Sequence, residues 1–90
     1  MKQRILVGNL PFNVDEEDLQ EVFSEFGPVY AAEIVRNRKS GTSRGFGFVE
    51  LDIENALPAL YELNGSLMGG RPIKLDLART WRYSTVGAIA

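Results

Sequence analysis

The chain has no cysteine and no histidine. Without cysteine there is neither a disulfide nor a thiolate metal site. Without histidine the commonest general base and the commonest metal ligand are both missing. Carboxylates are present, but no metal-ligand spacing and no nucleophile–base pairing accompanies them. A protein without enzymatic activity, cofactor or metal is expected. No apolar run approaches the roughly eighteen residues of a membrane span, and the first residues form no signal-peptide core. The expectation is a soluble intracellular protein that does not engage a membrane, with nucleus and cytoplasm both open.

Ninety residues make one domain. A chain of this size buries about 60–65% of its unfolded surface, enough for a single modest core. The net charge of −2 argues at first against a polyanionic partner. Its distribution argues otherwise. Asp15, Glu16, Glu17, Asp18, Glu21 and Glu25 fall in one stretch that contains no Lys or Arg, and without those six acids the remainder of the chain is +4. If the stretch is a helix behind a sheet, the other side of the sheet is mildly basic.

Arg4 to Gly8 is a short apolar, β-branched run and reads as a strand. Asp15 is placed to cap a helix, with Asp18 at the third helical position in a box-like arrangement. Leu19, Val22, Phe23 and Phe26 then form one apolar stripe that ends at Gly27-Pro28. Val29 to Arg36 is a second strand, residues 37–43 a polar basic loop, and Arg44 to Leu51 a third strand. Asp52 stands where a cap for a second helix is needed. The stripe of that helix is Ala56, Ala59, Leu60 and Leu63, and Pro58 should kink it. After a connection over residues 66–70, Arg71 to Ala78 reads as a fourth strand, with Ile73, Leu75 and Leu77 inward.

The order β-α-β-β-α-β is the ferredoxin-like α+β arrangement, a four-stranded antiparallel sheet with both helices on one face. The other face stays open. Alternation assigns residues to each side. Ile5, Val7, Val49 and Leu51 need the core, which sends Leu6, Gly8, Arg44, Phe46, Phe48 and Glu50 to the open face. In the second strand Glu33 and Val35 are exposed, and in the fourth Lys74 and Asp76. Two aromatic rings two residues apart beside a cation suit a nucleobase and its phosphate: the base stacks and the cation neutralises.

The run Arg44-Gly45-Phe46-Gly47-Phe48-Val49-Glu50-Leu51 resembles the longer signature of the RNA-recognition motif family, K/R-G-F/Y-G/A-F-V-x-F/Y. Only Leu51 departs, where an aromatic is usual. Ile5-Leu6-Val7-Gly8-Asn9-Leu10 resembles the shorter signature, at the family's usual distance upstream. The resemblance covers Arg4 to Ala78 and leaves the last dozen residues unexplained; a domain over residues 1–79 is expected, followed by a tail over 80–90 that lacks a clear period and is expected to be flexible.

The resemblance implies single-stranded RNA as partner, with single-stranded DNA as an alternative ligand, in RNA processing or translation. It implies a monomer, with its helical face available to protein partners. Phe46 and Phe48 would stack bases, and Arg44 would neutralise a phosphate. Leu6 stands where a third aromatic is usual; it either packs on a base without a π-face or is neutral filler. Lys74 lies beside the rings, and Arg36, Arg38, Lys39 and Arg71 could flank the same path. Glu33 and Asp76 would repel a backbone but could accept hydrogen bonds from base amino groups. Asn9 reads as loop-structuring. Trp81 and Tyr83 follow the last strand and either extend the stacking surface or dock on the domain's own edge. One alternative stands beside RNA binding. A protein-binding variant of the fold pairs an acidic first helix with an Arg-x-Phe motif before the last strand. This chain has Arg71-Pro72-Ile73 there and lacks the Phe.

Overall fold

The structure is a computed structural model that describes residues 1–78. Trp81, Tyr83 and the tail expected over 80–90 lie outside the described residues, as does the expected boundary at residue 79. Strand β1 (Lys2–Gly8) leads to helix α1 (Glu16–Phe23), which tightens into a 3-10 turn (Ser24–Phe26). Strands β2 (Ala31–Arg36) and β3 (Ser43–Asp52) follow, then helix α2 (Ile53–Leu63). A short hairpin, β4 (Leu67–Met68) and β5 (Arg71–Pro72), precedes the last strand β6 (Lys74–Ala78). The sheet order is β2-β3-β1-β6, antiparallel throughout. This is the ferredoxin-like arrangement.

The alternation read from sequence sets the core. Ile5, Val7, Val49 and Leu51 are sealed against Leu19 and Phe23 of α1 and Ala56 and Ala59 of α2. Val22, Phe26, Leu60 and Leu63 pack more shallowly around them. The capping box at the start of α1 forms in full: the Asp18 N–H donates to Asp15 Oδ1 at 2.9 Å, and the Asp15 N–H donates to Asp18 Oδ2 at 3.0 Å. The three acids of its first turn also suit the positive end of the helix dipole.

Four local readings change. Residues 71–78 do not form one strand. Gly69 and Gly70 both take left-handed φ (58° and 85°), the requirement of a tight two-residue hairpin turn, and so pair Arg71–Pro72 with Leu67–Met68. Leu77 keeps the inward alternation opposite Ile5 but is 36% exposed, because β6 is the edge strand. Asp52 holds the N-cap position of α2 without capping it; its carboxylate accepts the Tyr30 hydroxyl at 3.0 Å. Pro58 lies inside α2 and the helix continues through it. Pro58 and Glu54 are both exposed, so water can satisfy the carbonyl that the missing N–H leaves open. No helix among the described residues is long and apolar enough to cross a membrane.

Candidate nucleic-acid interface

Strand register builds the open face in rows. Phe48 lies opposite Glu33 of β2 on one side and Leu6 of β1 on the other, and Leu6 lies opposite Asp76 of β6. The four side chains therefore cross the sheet in the order Glu33, Phe48, Leu6, Asp76. Phe48 and Leu6 are half-buried, whereas Glu33 and Asp76 are exposed. Phe46 is half-buried too, and it flanks the buried Gly47 on the side opposite Phe48, so both rings turn away from the core.

Near Phe46 the ladder is irregular. The pairing shifts between Ile34↔Gly47 and Arg36↔Ser43, so three residues of β3 oppose one of β2. Gly45 accommodates the bulge with a φ of 86°. Its carbonyl accepts the Leu10 N–H at 2.9 Å, which fastens the loop after β1 to this end of β3. The two strands approach so closely at Gly47 that a Cβ there would collide with the Glu33 carbonyl. The glycine of the signature thus fixes where Glu33 stands relative to Phe48. Arg44 is exposed at the bulged end, and Lys74, also exposed, lies opposite Gly8.

The next rows contain residues that sequence reading missed. β1 begins at Lys2, two residues before the strand read from sequence, and it carries two further cations, Lys2 and Arg4, on the open face. Arg4 lies opposite Glu50; its Nε is 3.8 Å from Glu50 Oε2, and its guanidinium carbon is 5.7 Å from the centroid of the Phe48 ring. Lys2 lies opposite Asp52 and places Nζ 4.4 Å from the centroid of Tyr30. The Tyr30 hydroxyl is pushed above its ordinary pKa by its hydrogen bond to the Asp52 carboxylate. A cation over each ring is a favourable contact with the negative π-face. The signal was available: Lys2 and Arg4 share the parity of Leu6.

Two other candidate cations, Arg36 and Arg71, are engaged elsewhere. Arg36 forks onto Glu16 at the start of α1, with Nη1 2.6 Å from Oε2 and Nη2 3.2 Å from Oε1. The Ile34 N–H adds a third bond to Glu16 Oε2 at 3.2 Å. The Arg36 contact holds the Glu16 carboxyl at about 2, well below the usual range. Arg71 donates to Asn9 Oδ1 at 2.7 Å, while Asn9 Nδ2 donates to the Pro72 carbonyl at 2.7 Å. Asn9, in a left-handed conformation (φ 58°), thereby joins the end of β1 to the hairpin, the loop-structuring role expected of it. Arg38 and Lys39 are exposed in the loop between β2 and β3. No group of three or more His, Cys, Asp or Glu that could hold a metal occurs among the described residues.

A four-stranded antiparallel sheet with both helices on one face and two half-buried rings on the other is a ferredoxin-like α+β domain. The RNA recognition motif family matches this chain over residues 5–74, and the chain belongs to that family. It is similar to RNA-binding protein CP31B, chloroplastic, of Arabidopsis thaliana, with 47% identity over 76 residues. That match covers 83% of this chain and 26% of CP31B, so the chain spans about a quarter of that relative. Among solved structures it is similar to RNA binding protein PG1, with a TM-score of 0.84 and 40% identity, over 86% of this chain and 94% of that one. It is also similar to the Rna15 RRM with bound RNA (GU), with a TM-score of 0.76 and 28% identity, over 84% and 82% of the two chains.

Proposed function

We propose that this domain binds a few nucleotides of single-stranded RNA on the open face of its sheet and performs no chemistry on them. The observation that carries the reading is the placement of Phe46 and Phe48, half-buried on the face that neither helix covers. Each ring offers a stacking surface, and Leu6 supplies an apolar neighbour to Phe48. Arg44 and Lys74 at one end, and Arg4 and Lys2 at the other, supply cations for phosphates. Glu33 and Asp76 are placed to meet base edges. A relative in the family solved with RNA bound supports the same reading. The roles proposed are in RNA processing or translation, by a monomer, with single-stranded DNA as a competing ligand.

The test is an NMR titration with short single-stranded RNA and with duplex RNA. Single strands should shift amides of β1 and β3 and leave α1 unmoved, and duplex should bind much more weakly. Each phosphate neutralised on a single strand contributes about −0.7 to the log–log salt slope, so two to four contacts give roughly −1.5 to −3. Shifts confined to α1, or equal affinity for duplex, would refute the reading. The alternative, peptide capture by the acidic helix, is less favoured by the geometry. Ile73 is fully buried and Arg71 is held by Asn9, so this segment offers no exposed aromatic to grip a peptide.

A further inference from the structure

We infer that Phe48 and Glu33 together form a base site that selects guanine; the inference rests on the RNA-binding reading and specifies one of its subsites. Four carboxylates lie on the open face or at its margin, and three of them have partners. Glu50 faces Arg4, Asp52 accepts the Tyr30 hydroxyl, and Asp76 Oδ1 accepts the Leu77 N–H at 2.8 Å. Glu33 is exposed, and its carboxylate has no hydrogen bond or ion pair among the described residues. It is also the carboxylate directly opposite Phe48. Facing residues of an antiparallel pair hold their Cβ atoms about 4.5–5.5 Å apart. Gly47 holds this pair in place, since any side chain there would push the Glu33 backbone away.

The surroundings orient a base stacked on Phe48. On the β1 side Leu6 offers no hydrogen bond and Arg4 offers only donors, so a base edge that carries donors is left unsatisfied if turned that way. Such an edge therefore turns toward Glu33. An ionised carboxylate only accepts, through two oxygens. On an unpaired base the Watson–Crick edge is open to such readout. Guanine presents two adjacent donors there, N1–H and the N2 amino group, which match the two oxygens in a charge-assisted pair. Adenine and cytosine present one amino group beside a ring nitrogen acceptor that repels the carboxylate. Uracil presents one N3–H between two carbonyls. Guanine is the base this arrangement satisfies.

The experiment measures binding of fluorescent oligouridylates carrying one central G, A, C or inosine, to the parent chain and to Glu33→Gln. For the parent, the guanine oligonucleotide should bind about tenfold more tightly than the A, C or all-U forms, with inosine, which lacks the amino group, between them. In Glu33→Gln the guanine preference and the G–inosine difference should both collapse, while affinity for the all-U oligonucleotide is kept or rises slightly. Glu62→Gln, which removes the same charge from the exposed face of α2 behind the sheet, should leave the preference intact. A parent that binds all bases alike, or a guanine preference that survives Glu33→Gln or disappears with Glu62→Gln, overturns the inference. If binding is Phe48-dependent but indifferent to base, this inference fails and RNA binding stands. If no oligonucleotide binds the parent, both fail.

Discussion

Phe23 and Phe48 are the same side chain in two settings. Phe23, at the end of α1, is fully enclosed among the strand residues and the second helix. Phe48 is half-buried on the other face of the sheet, bordered by Leu6 and Glu33, with the Arg4 guanidinium over it. Phe48 is also flanked in sequence by Gly47 and Val49, both of which face the core. One strand therefore serves two purposes through parity alone, and a slip of one residue would exchange them. Burial makes the first ring a determinant of stability. Half-burial on the open face leaves the second ring a smaller share in the stability of the fold.

The sharpest way to break this comparison is to truncate each ring. Phe23→Ala should cost about 3–5 kcal/mol of stability in urea unfolding, the range for deleting a buried aromatic. Phe48→Ala should cost far less, and similar losses for the two would erase the distinction. The double change Phe46→Ala with Phe48→Ala should leave the far-UV spectrum native and weaken RNA binding by about 1–3 kcal/mol per stacked base. An unfolded double variant would show that the rings belong to the core after all, and a folded one with parental affinity would show that they do not hold the RNA. Gly47→Ala joins the two faces. Its methyl group meets backbone of β2, which cannot yield as a flexible side chain does, so about 1–3 kcal/mol should be lost in thermal unfolding. A neutral result would mean that β2 moves freely, and that Glu33 is not held beside Phe48.

The smallest effect sharpens the helical side. The Glu16 carboxyl, normally near 4.5, is held at about 2 by Arg36. A depressed carboxylate stabilises the fold above its unfolded pKa, and that contribution is lost as pH falls from about 4.5 toward 2. The Glu16 side chain is 41% exposed, so screening keeps the effect under about 1 kcal/mol. Urea midpoints at pH 7, 4 and 2.5 should fall more steeply for the parent than for Glu16→Gln. Parallel profiles would show that the pair adds nothing.

Much of the fold was legible because local and tertiary requirements agree. The Asp15–Asp18 box, the stripe through Leu19 and Phe23, and the alternation through Val49 and Leu51 each follow from a fixed period or cap. The open face was legible by the same parity. What escaped depended on partners distant in sequence. Arg36 reads as a candidate phosphate contact until Glu16 is seen beside it. Asp52 reads as a cap until Tyr30 claims its carboxylate. Lys2 precedes the strand read from sequence, and only its pairing with Asp52 makes it part of β1, while Arg4 stands at the start of that strand and its role shows only beside Glu50 and Phe48. The hairpin is a different case: Gly69-Gly70 is itself a turn signal, overlooked because the alternation from Arg71 to Ala78 looked continuous.

The guanidinium of Arg4 over Phe48 has a consequence for the protein before any ligand arrives. A bare aromatic face on a small domain invites a second copy to cover it, and contiguous apolar patches on monomers are small for that reason. Here a cation lies over one ring and Glu33 stands on one side of it, so charge interrupts the apolar surface. A flat base entering edge-on can displace or sandwich one guanidinium; a folded neighbour would have to desolvate Arg4, Glu50 and Glu33 together. If the face binds bases as proposed, the charges that dilute it would also disfavour contact with a second copy while leaving room for a thin, planar guest.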